Sequence, residues 1–563
     1  MKLTGGEALV QQLAQEGATH VFGIPGVQLD WAVEALRKAE NQIRFVVPRH
    51  EQATSYMADG FARTTGRPGV CMVVPGPGVL NAAAGLATAF ACSSPVLCVA
   101  GHIHSDSIGR GYGALHEIKD QGAVLDQVTK WRGRADTPED VPGLVRRAYA
   151  QMRSGRPAPV AVEVPYNVLA ARGDVELAQT PAGEDGRLQP DQAQVKRLAA
   201  VLAAATFPVI YVGGGVLSTR GGAALQRLAE KIGAPVVMSE NGRGAISDRH
   251  PLAFSTLAGR ALLAHADVLV VAGSRFMETR GPFPAWDKQD TKYIYINTDR
   301  EAGIEPRVPG MVLTADAGLA MAALADELPA SAPAHRRRLD PVRAHQLRAW
   351  AQAKIDAIEP QASYIRALRA AIPEDGIFVN ELTQVGYFAR VAYPVYGPGT
   401  LIGPGYQGTL GYGFPTGLGA AVGNPGRVVV SITGDGGFGW TLQELATASK
   451  YKLDHITVVF ADGHFSNVRG LQEEQFGQAY CSDLNNPDFV TMARAFGVSA
   501  TQVRDAKGLE GALGDAIRGG GPHLIEVAVG RMPSPWGLLR LKAPGAAGAG
   551  GDAMPSPFPD AGA

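Results

Sequence analysis

The chain contains 563 residues, with 46% apolar and 19% charged side chains and a net charge of −1. This is the composition of an ordinary globular protein, and the length predicts about three domains. The near-neutral charge and the lack of a long basic block exclude an electrostatic footprint for nucleic acid, and no run of 18 apolar residues predicts a membrane span.

The first predicted domain covers residues 1–172 and alternates β-rich runs with helical patterns. It begins with an amphipathic helical pattern, MKLTGGEALVQQLAQEG, that lacks the apolar core of a secretory signal. The predicted strands are HVFGI, IRFVV, GVCMVV, VLCVAG and VAVEV. Strands that alternate with helices predict a mostly parallel sheet with helices on both faces.

Two further domains follow, a central one at 188–330 and a third at 360–535, so the predicted fold class is α/β with three doubly wound, mostly parallel sheets. Polar stretches with Pro and Gly around 173–190 and 329–341 predict linkers. Residues 536–563 are rich in small side chains and predict a flexible tail. The predicted strands are PVIYVGGG, APVVMS, DVLVVAG and KYIYIN in the central domain, then IFVN, VVVSIT, ITVVFAD and HLIEVAV.

The cysteines indicate a reducing compartment. They form no C-x-x-C pair and lie mostly in apolar runs, at Cys71, Cys92, Cys98 and Cys481. We therefore expect buried free thiols and a cytoplasmic location.

The strands VVVSIT and ITVVFA each end in a loop with an acidic residue, Asp435 or Asp462. The first loop contains Gly434, Gly436 and Gly437 and opens a helical segment, TLQELATASKY. Glycine lets backbone N–H groups approach a phosphate, and a helix N-terminus adds partial positive charge. An aspartate in such a loop would repel the phosphate unless a divalent cation with oxygen ligands lies between them. We therefore predict a metal-bridged diphosphate site.

A dinucleotide site is the alternative for the same loop. Gly434, Gly436 and Gly439 satisfy G-x-G-x-x-G after a strand, and Asp462 would then bind a ribose hydroxyl. Two details favour the metal–diphosphate site: the carboxylate of Asp435 lies where a pyrophosphate would approach, and a bulky tryptophan follows the third glycine. A tight turn without ligand is a third alternative.

A second motif, RHEQA, places Glu51 after a strand and at the start of a helix. A carboxylate in the first helical turn favours the helix dipole, which is a purely structural explanation. However, A-x-G-x-A-R-x-T-G-x-P-G-V follows, and GDG stands at Gly434 to Gly436. Together these motifs resemble the thiamine-diphosphate-dependent enzymes of the acetohydroxyacid synthase, pyruvate oxidase and benzaldehyde lyase group. The resemblance covers residues 1–535, in the order of pyrimidine-binding, central and pyrophosphate-binding domains.

The resemblance implies roles for residues in both motifs. Glu51 would hydrogen-bond the aminopyrimidine N1′ and drive the imino tautomer, which deprotonates the thiazolium C2. Asp435 and Asp462 would bind Mg²⁺ through their side chains, and His464 through its backbone carbonyl. The usual pattern has asparagine where Asp462 stands, so we expect binding to survive with altered pH or metal dependence.

The segment YQGTLGYGFPTGLGA resembles the one that grips the pyrimidine ring. Leu410 matches the bulky apolar residue beneath the bent cofactor, with plain core packing as the alternative. Backbone groups of Gly408 and Leu410 would hydrogen-bond the ring. Because the two cofactor-binding domains of this family cooperate across a subunit boundary, the resemblance implies a homodimer or homotetramer.

Four residues are predicted to line the substrate pocket. GIPGVQLD resembles the Y-P-G-G turn of acetohydroxyacid synthases and turns Gln28 toward the cofactor. His116 stands where related enzymes carry glutamine and would exchange a proton with an intermediate, with a solvated loop histidine as the alternative. Asn467 aligns with a position on the substrate side of the cofactor. Leu471 replaces the tryptophan that selects the acceptor ketoacid, which argues against true acetolactate synthesis.

The resemblance implies a lyase or transferase that cleaves or forms a C–C bond next to a carbonyl with thiamine diphosphate and Mg²⁺. We expect an acetolactate-synthase-like decarboxylase and carboligase, whose small-molecule partners are a 2-keto acid or 2-hydroxyketone and an aldehyde. The alternatives are an acyloin lyase of the benzaldehyde lyase or cyclic-diketone hydrolase type, a true acetolactate synthase subunit, and a relative without activity. The central domain lacks the G-M-x-G-x-x segment that touches FAD, which argues against FAD although YVGGG and AGSRF are present.

Overall fold

The computed structural model describes residues 1–179, 186–218, 220–278, 281–282, 290–304, 308–330, 333–539 and 554–558. Within these ranges the strands form three six-stranded sheets and two short antiparallel pairs. Neighbouring strands in the three large sheets are parallel. The predicted class of three mostly parallel α/β domains is confirmed.

In the N-terminal domain, the first strand pairs with the last one. Its strands are β1 (Lys2–Thr4), β2 (His20–Gly23), β3 (Arg44–Val46), β4 (Gly69–Val73), β5 (Val96–His102), β6 (Arg132–Arg134), β7 (Val160–Pro165) and β8 (Arg172–Asp174). Its helices are α1 (Gly5–Gln15), α2 (Asp30–Lys38), α3 (Glu51–Thr65), α4 (Pro77–Cys92), α5 (Gln121–Val128), α6 (Asp140–Arg153) and α7 (Tyr166–Ala170), with a 3₁₀ turn at Ser105–Ser107. The large sheet has the order β3–β2–β4–β5–β7–β6, and β1 pairs antiparallel with β8. β7 is buried along its whole length, as expected when helices cover both faces.

The central domain has the sheet order β11–β10–β9–β12–β15–β16. These strands, with a short pair β13–β14, are β9 (Pro208–Val212), β10 (Val236–Met238), β11 (Ala253–Ser255), β12 (Val268–Ala272), β13 (Met277–Glu278), β14 (Gly281–Pro282), β15 (Lys292–Asn297) and β16 (Met311–Thr314). The helices are α8 (Gln192–Ala204), α9 (Gly214–Ser218), α10 (Gly222–Ile232), α11 (Thr256–Leu263) and α12 (Ala317–Glu327), with 3₁₀ turns at Glu240–Gly242 and Arg300–Gly303.

The C-terminal domain has the sheet order β18–β17–β19–β20–β22–β21. These strands are β17 (Ile377–Asn380), β18 (Leu401–Ile402), β19 (Val429–Gly434), β20 (Ile456–Ala461), β21 (Ser499–Val503) and β22 (His523–Ala528). The helices are α13 (Pro341–Asp356), α14 (Gln361–Ala371), α15 (Gln384–Ala392), α16 (Gly413–Gly423), α17 (Asp435–Phe438), α18 (Leu445–Tyr451), α19 (Ser466–Phe476), α20 (Phe489–Ala495), α21 (Ala506–Gly519) and α22 (Trp536–Leu539), with a 3₁₀ turn at Leu442–Glu444.

The N-terminal and C-terminal domains share a core through α3 and α16. A methyl group at Gly60 would lie 2.1 Å from the carbonyl oxygen of Thr416, and one at Gly419 would lie 2.0 Å from that of Met57. The two backbones approach this closely because both contact positions lack a side chain. Phe61 and Leu418 extend the shared apolar contact. The start of α3, where Glu51 lies, is thereby fixed against the C-terminal domain.

The described part of the C-terminal tail is packed, unlike the flexible tail predicted for 536–563. Residues Trp536–Leu539 form α22, and the ring of Phe558 packs edge-on against Phe207 with centroids 4.7 Å apart. The guanidinium of Arg337 lies 3.5 Å from the Phe558 ring centroid. Phe558 thus packs against the central domain. Residues 540–553 and 559–563 lie outside the described residues.

The cysteines differ in their exposure. Cys71 and Cys98 are buried, but Cys481 is exposed, which differs from the expectation of buried thiols because Cys481 lies in a surface loop. Among the described helices, none combines the length and apolar character needed to cross a bilayer.

Candidate active site

Asp435 and Asp462 lie at one edge of the C-terminal sheet. β19 and β20 are adjacent and parallel, with Gly434 opposite Phe460, so the loops that follow them meet. Asp435 Oδ2 accepts a hydrogen bond of 2.7 Å from the backbone N–H of Gly463, the neighbour of Asp462. The two acidic loops are therefore joined directly.

The carboxylate of Asp435 is buried and held by further donors. Oδ1 accepts from the N–H of Gly436 at 2.9 Å, and Oδ2 accepts from the side-chain amide of Asn486 at 2.7 Å. Burial raises the pKa of Asp435, and the nearby charge of Asp462 acts in the same direction. Two carboxylates in this arrangement repel each other, and a divalent cation with oxygen ligands relieves that repulsion. The residues present fit Mg²⁺.

The turn after β20 places the third predicted ligand beside Asp462. Asp462 Oδ1 accepts from the backbone N–H of His464 at 3.0 Å, and Oδ2 accepts from the hydroxyl of Ser466. Across the described ranges, no group of three or more His, Cys, Asp and Glu side chains is placed to hold a metal. The candidate ligands are instead the carboxylates of Asp435 and Asp462 and the carbonyl of His464.

The glycine-rich loop forms the four-residue helix α17 instead of opening one long helix over TLQELATASKY. That segment is divided into the 3₁₀ turn Leu442–Glu444 and α18. A methyl group at Gly436 would lie 2.6 Å from the ring of Phe465, and one at Gly437 would lie 2.1 Å from Glu381 Oε1. Close packing around the loop therefore requires both glycines, and any phosphate contact would come from single N–H groups rather than from a long helix.

Glu381 is a buried carboxylate beneath this loop that the sequence analysis did not single out. It follows β17, and its Oε1 and Oε2 accept from the backbone N–H groups of Gly411 and Gly413 at 2.9 and 2.7 Å. Burial raises the pKa of Glu381 to about 7, because loss of water outweighs these two donors. Glu381 thus fixes the segment that follows Leu410, and it carries a proton in moderately acidic solution.

The raised pKa of Glu381 predicts a pH dependence of stability. The fold favours the protonated carboxyl, so its contribution is fully present below the ordinary pKa of 4.5 and is lost as the pH rises toward about 7. We expect the unfolding free energy of the cofactor-free protein to fall by up to about 3 kcal/mol over this interval from this group alone. Glu381→Gln, which cannot titrate, should flatten that part of the curve in thermal unfolding between the two pH values. Parallel curves for the wild type and Glu381→Gln would contradict the shift, and Glu374→Gln, at an exposed site, is the matched control.

Glu51 begins α3, as predicted, and is half-buried. Its Oε2 accepts from the side-chain amide of Asn81 at 3.0 Å. The two residues before Glu51 are bound to the C-terminal domain. The buried carboxylate of Glu444 accepts from the N–H of Arg49 at 3.0 Å and from that of His50 at 3.1 Å. Burial raises the pKa of Glu444. Glu51 is thus oriented by Asn81, and its backbone is fixed by Glu444.

Gln28 and His116, predicted from separate segments, are in contact. The side-chain amide of Gln28 donates to the carbonyl of Leu115 at 3.1 Å, so its Oε1 is left to accept from His116 Nδ1, also at 3.1 Å. In the neutral histidine this assigns the proton to Nδ1 and leaves Nε2 as the acceptor. His116 has φ 68°, and a methyl group at Gly76 would lie 2.2 Å from its carbonyl oxygen. This loop histidine is held in place rather than freely solvated.

Within one chain, the N-terminal domain contacts the predicted cofactor-binding segment 408–410, because the hydroxyl of Tyr56 on α3 donates to Thr409 Oγ1 at 2.9 Å. Across the described ranges, no hydrogen bond links Glu51, Gln28 or His116 to the loops around Asp435 and Asp462. Leu410 is 40% exposed, which excludes the core-packing alternative for this residue in the isolated chain. Gly408 has φ 58°, which turns the segment before Leu410 sharply.

A cavity of about 280 Å³ opens beside the acidic loops. Asp462, His464, Asn467 and Leu471 line it, so the predicted metal ligands and the predicted pocket residues share one space. The remaining wall comes from α15, from the rest of α19 and from the C-terminal segment, through Gln384, Ser466, Arg469, Gly470, Glu474, Arg531, Met532, Pro533, Ser534 and Trp536. The C-terminal segment was assigned no part in the site by the sequence analysis.

Comparison with known families indicates which cofactor the loop at Asp435 serves. Residues 3–124 match the thiamine pyrophosphate enzyme N-terminal TPP binding domain, 195–324 the central domain, and 383–527 the C-terminal TPP binding domain. The chain belongs to the thiamine pyrophosphate enzymes. The loop at Asp435 is therefore that of a thiamine pyrophosphate enzyme, and the dinucleotide alternative is wrong.

Relatives match nearly the whole chain of this thiamine pyrophosphate enzyme. A Pseudomonas aeruginosa protein named Probable 2-ketoarginine decarboxylase AruI is 35% identical over 548 residues, 93% of this chain and 94% of the relative. Acetolactate synthase isozyme 1 large subunit of Escherichia coli is 30% identical over 546 residues, 94% of each chain. Isozyme 3 large subunit of the same organism is 32% identical over 543 residues, 92% of each chain.

The glycine turn of the central domain is explained by its own packing. A methyl group at Gly213 would lie 2.4 Å from the carbonyl oxygen of Gly273, and one at Gly215 would lie 2.7 Å from the Cα of Gly273. The N–H groups of Gly213 and Gly215 donate to the carbonyls of Ala272 and Gly273. These donors are therefore already used within the turn of this thiamine pyrophosphate enzyme, so YVGGG by itself gives no evidence for FAD.

Proposed function

We propose that this thiamine pyrophosphate enzyme is a Mg²⁺-dependent decarboxylase and carboligase that acts on a 2-keto acid. One observation carries the proposal: Asp462 and His464 belong both to the candidate metal site and to the wall of the cavity that Asn467 and Leu471 line. A keto acid in this cavity would lie directly beside the metal-held diphosphate cofactor.

Some residues of this chain would bind the cofactor, and others would transfer protons. Asp435, Asp462 and the carbonyl of His464 would hold Mg²⁺, and backbone groups at 434–437, 408 and 410 would hold the cofactor. When bound, thiamine diphosphate supplies a carbon nucleophile and an electron sink. Glu51, oriented by Asn81, would hold a proton at the aminopyrimidine.

His116 would act on the substrate side. Its Nδ1 donates to Gln28, so Nε2 is the nitrogen that accepts or returns a proton. Because no hydrogen bond among the described residues joins Glu51, Gln28 or His116 to the acidic loops within one chain, we propose that the complete site forms between two chains of a homodimer or homotetramer. A cytoplasmic enzyme without FAD is part of the same proposal.

Two observations favour decarboxylation over acetolactate synthesis. A relative at 35% identity is named Probable 2-ketoarginine decarboxylase, and the family resemblance implies that Leu471 stands where acetolactate synthases carry the tryptophan that selects the acceptor. The cavity also contains Glu474, which makes no hydrogen bond or ion pair within the described part of the chain. A 2-keto acid with a cationic end, such as 2-ketoarginine, is therefore the first substrate to test.

The test is a substrate panel on the protein loaded with thiamine diphosphate and Mg²⁺. 2-Ketoarginine, pyruvate and 2-oxopentanoate are compared with acetoin and benzoin, and CO₂ release is measured separately from aldehyde release. We expect CO₂ from the keto acids, with 2-ketoarginine turned over best. Aldehyde from an acyloin without CO₂ would support the lyase alternative, and no turnover of any compound would contradict the proposal.

A further inference from the structure

The C-terminal segment 531–536 reaches back to α19 and closes one side of the cavity. Trp536 Nε1 donates a hydrogen bond of 2.7 Å to Asn467 Oδ1. Arg531 binds the carboxylate of Glu473, which Arg469 also holds at 3.0 Å. The segment is therefore attached to α19 at both of its ends.

The position of Trp536 is set by contacts independent of Asn467. Its ring packs against that of Tyr387 on α15, with centroids 4.8 Å apart. At the end of α22, the carbonyl of Leu539 accepts from Arg260 Nη2 at 2.5 Å, which ties the segment to the central domain. The indole is thus packed on α15, and the helix that carries it is tied to the central domain.

The bond from Trp536 fixes the orientation of the Asn467 amide. An indole nitrogen only donates, so it can meet only the carbonyl oxygen of the asparagine side chain. The amide nitrogen must then point away from Trp536, and it has no partner among the residues described. Since Asn467 lines the cavity together with Asp462 and His464, this leaves two N–H donors available to a bound molecule.

We propose that Trp536 is a positioning residue that holds Asn467 as a hydrogen-bond donor to an oxygen of the 2-keto acid substrate. This assignment rests on the proposed function. An acceptor oxygen suits the donor that the asparagine presents, and the carboxylate and ketone of a 2-keto acid both supply one. A freely rotating amide would present its oxygen half of the time and repel the same group.

Two variants separate positioning from donation. Trp536→Phe keeps an aromatic ring against Tyr387 but removes the indole N–H, so KM should rise on the order of fivefold, as for loss of one hydrogen bond, with kcat little changed. Asn467→Asp keeps an acceptor for the indole but replaces the donor by a carboxylate. We expect this variant to keep the melting temperature of the wild type and to raise KM more than Trp536→Phe does.

The double variant distinguishes positioning from general stabilisation. If Trp536 acts through Asn467, then Trp536→Phe should add nothing to the KM of Asn467→Asp, whereas two independent effects would multiply. Trp350→Phe is the matched control, because the indole nitrogen of Trp350 is buried without a partner among the described residues, so KM should stay unchanged.

The measurement uses the full chain with thiamine diphosphate and Mg²⁺, and KM and kcat are taken for the best keto acid of the panel. Turnover by the wild type with an unchanged KM in Trp536→Phe, or multiplying effects in the double variant, would overturn the assignment alone. No turnover of any keto acid by the wild type would overturn the proposed function and this assignment together.

Discussion

Glu51→Gln is expected to lower turnover on the order of 10²–10⁴-fold, the usual contribution of a positioned proton-transfer group. The amide keeps the size of the side chain and can still contact Asn81, but it cannot exchange a proton at the aminopyrimidine. Cofactor binding should therefore be retained. Steady-state decarboxylation, together with the thermal shift on adding thiamine diphosphate and Mg²⁺, measures the two effects separately.

Glu34→Gln is the matched control for this substitution. Glu34 also lies on a helix of the N-terminal domain, but it is paired with Arg37 at the surface, so activity should be unaffected. Full turnover by Glu51→Gln would remove Glu51 from the proton relay. Loss of the thermal shift in the same variant would instead make Glu51 a binding residue.

Asp435→Ala is expected to abolish the stabilisation of the protein by its cofactor. A ligand present at 100 times its dissociation constant stabilises the native state by about 2.7 kcal/mol, and this increment should vanish when the metal ligand is removed. The substitution also leaves the donors of Gly463 and Asn486 without their acceptor, so the cofactor-free variant should itself melt earlier than the wild type.

The shift in melting temperature on adding thiamine diphosphate and Mg²⁺ is therefore compared with each variant's own cofactor-free state. Asp435→Asn removes the charge and keeps one oxygen that can accept from Gly463 and Asn486, although its amide nitrogen then faces the N–H of Gly436. Asp515→Ala, at an exposed site on α21, controls for loss of an aspartate elsewhere in the domain. A thermal shift that persists in Asp435→Ala would show that the metal is held by other residues.

The sequence predicted the meeting of Asp435 and Asp462 for a physical reason. Each follows an apolar strand, and the carboxyl ends of adjacent parallel strands lie at one edge. The same rule applies to Glu381, which follows the buried strand Ile377–Asn380 at the same edge of the sheet. Gln28 and His116 were predicted from resemblance alone, and their contact could not be read from residues 88 positions apart.

Several other structural features could not be predicted from short sequence patterns. β6, β11, β16 and β18 lie at sheet edges and span two to four residues, which is too short for a recognisable run. The edge strand β21 spans five residues, but its side chains are mostly polar and exposed. Glu444 finds its partners 394 and 395 residues away, and these are backbone N–H groups that no sequence pattern records. Trp536 stands in a segment whose composition predicts mobility, because composition does not report a single indole that meets an asparagine on another element.

The hydrogen bonds from the backbone of Arg49 and His50 to Glu444 hold the start of α3 against the C-terminal domain. Separating the N-terminal and C-terminal domains within a chain would remove two donors from the buried carboxylate of Glu444 and part the helices that meet at Gly60 and Gly419. These contacts oppose separation of the two domains within one chain. Among the described helices that line the cavity, α19 has no buried side chain, so a larger substrate would be accommodated by displacement of α19 rather than by separation of the domains.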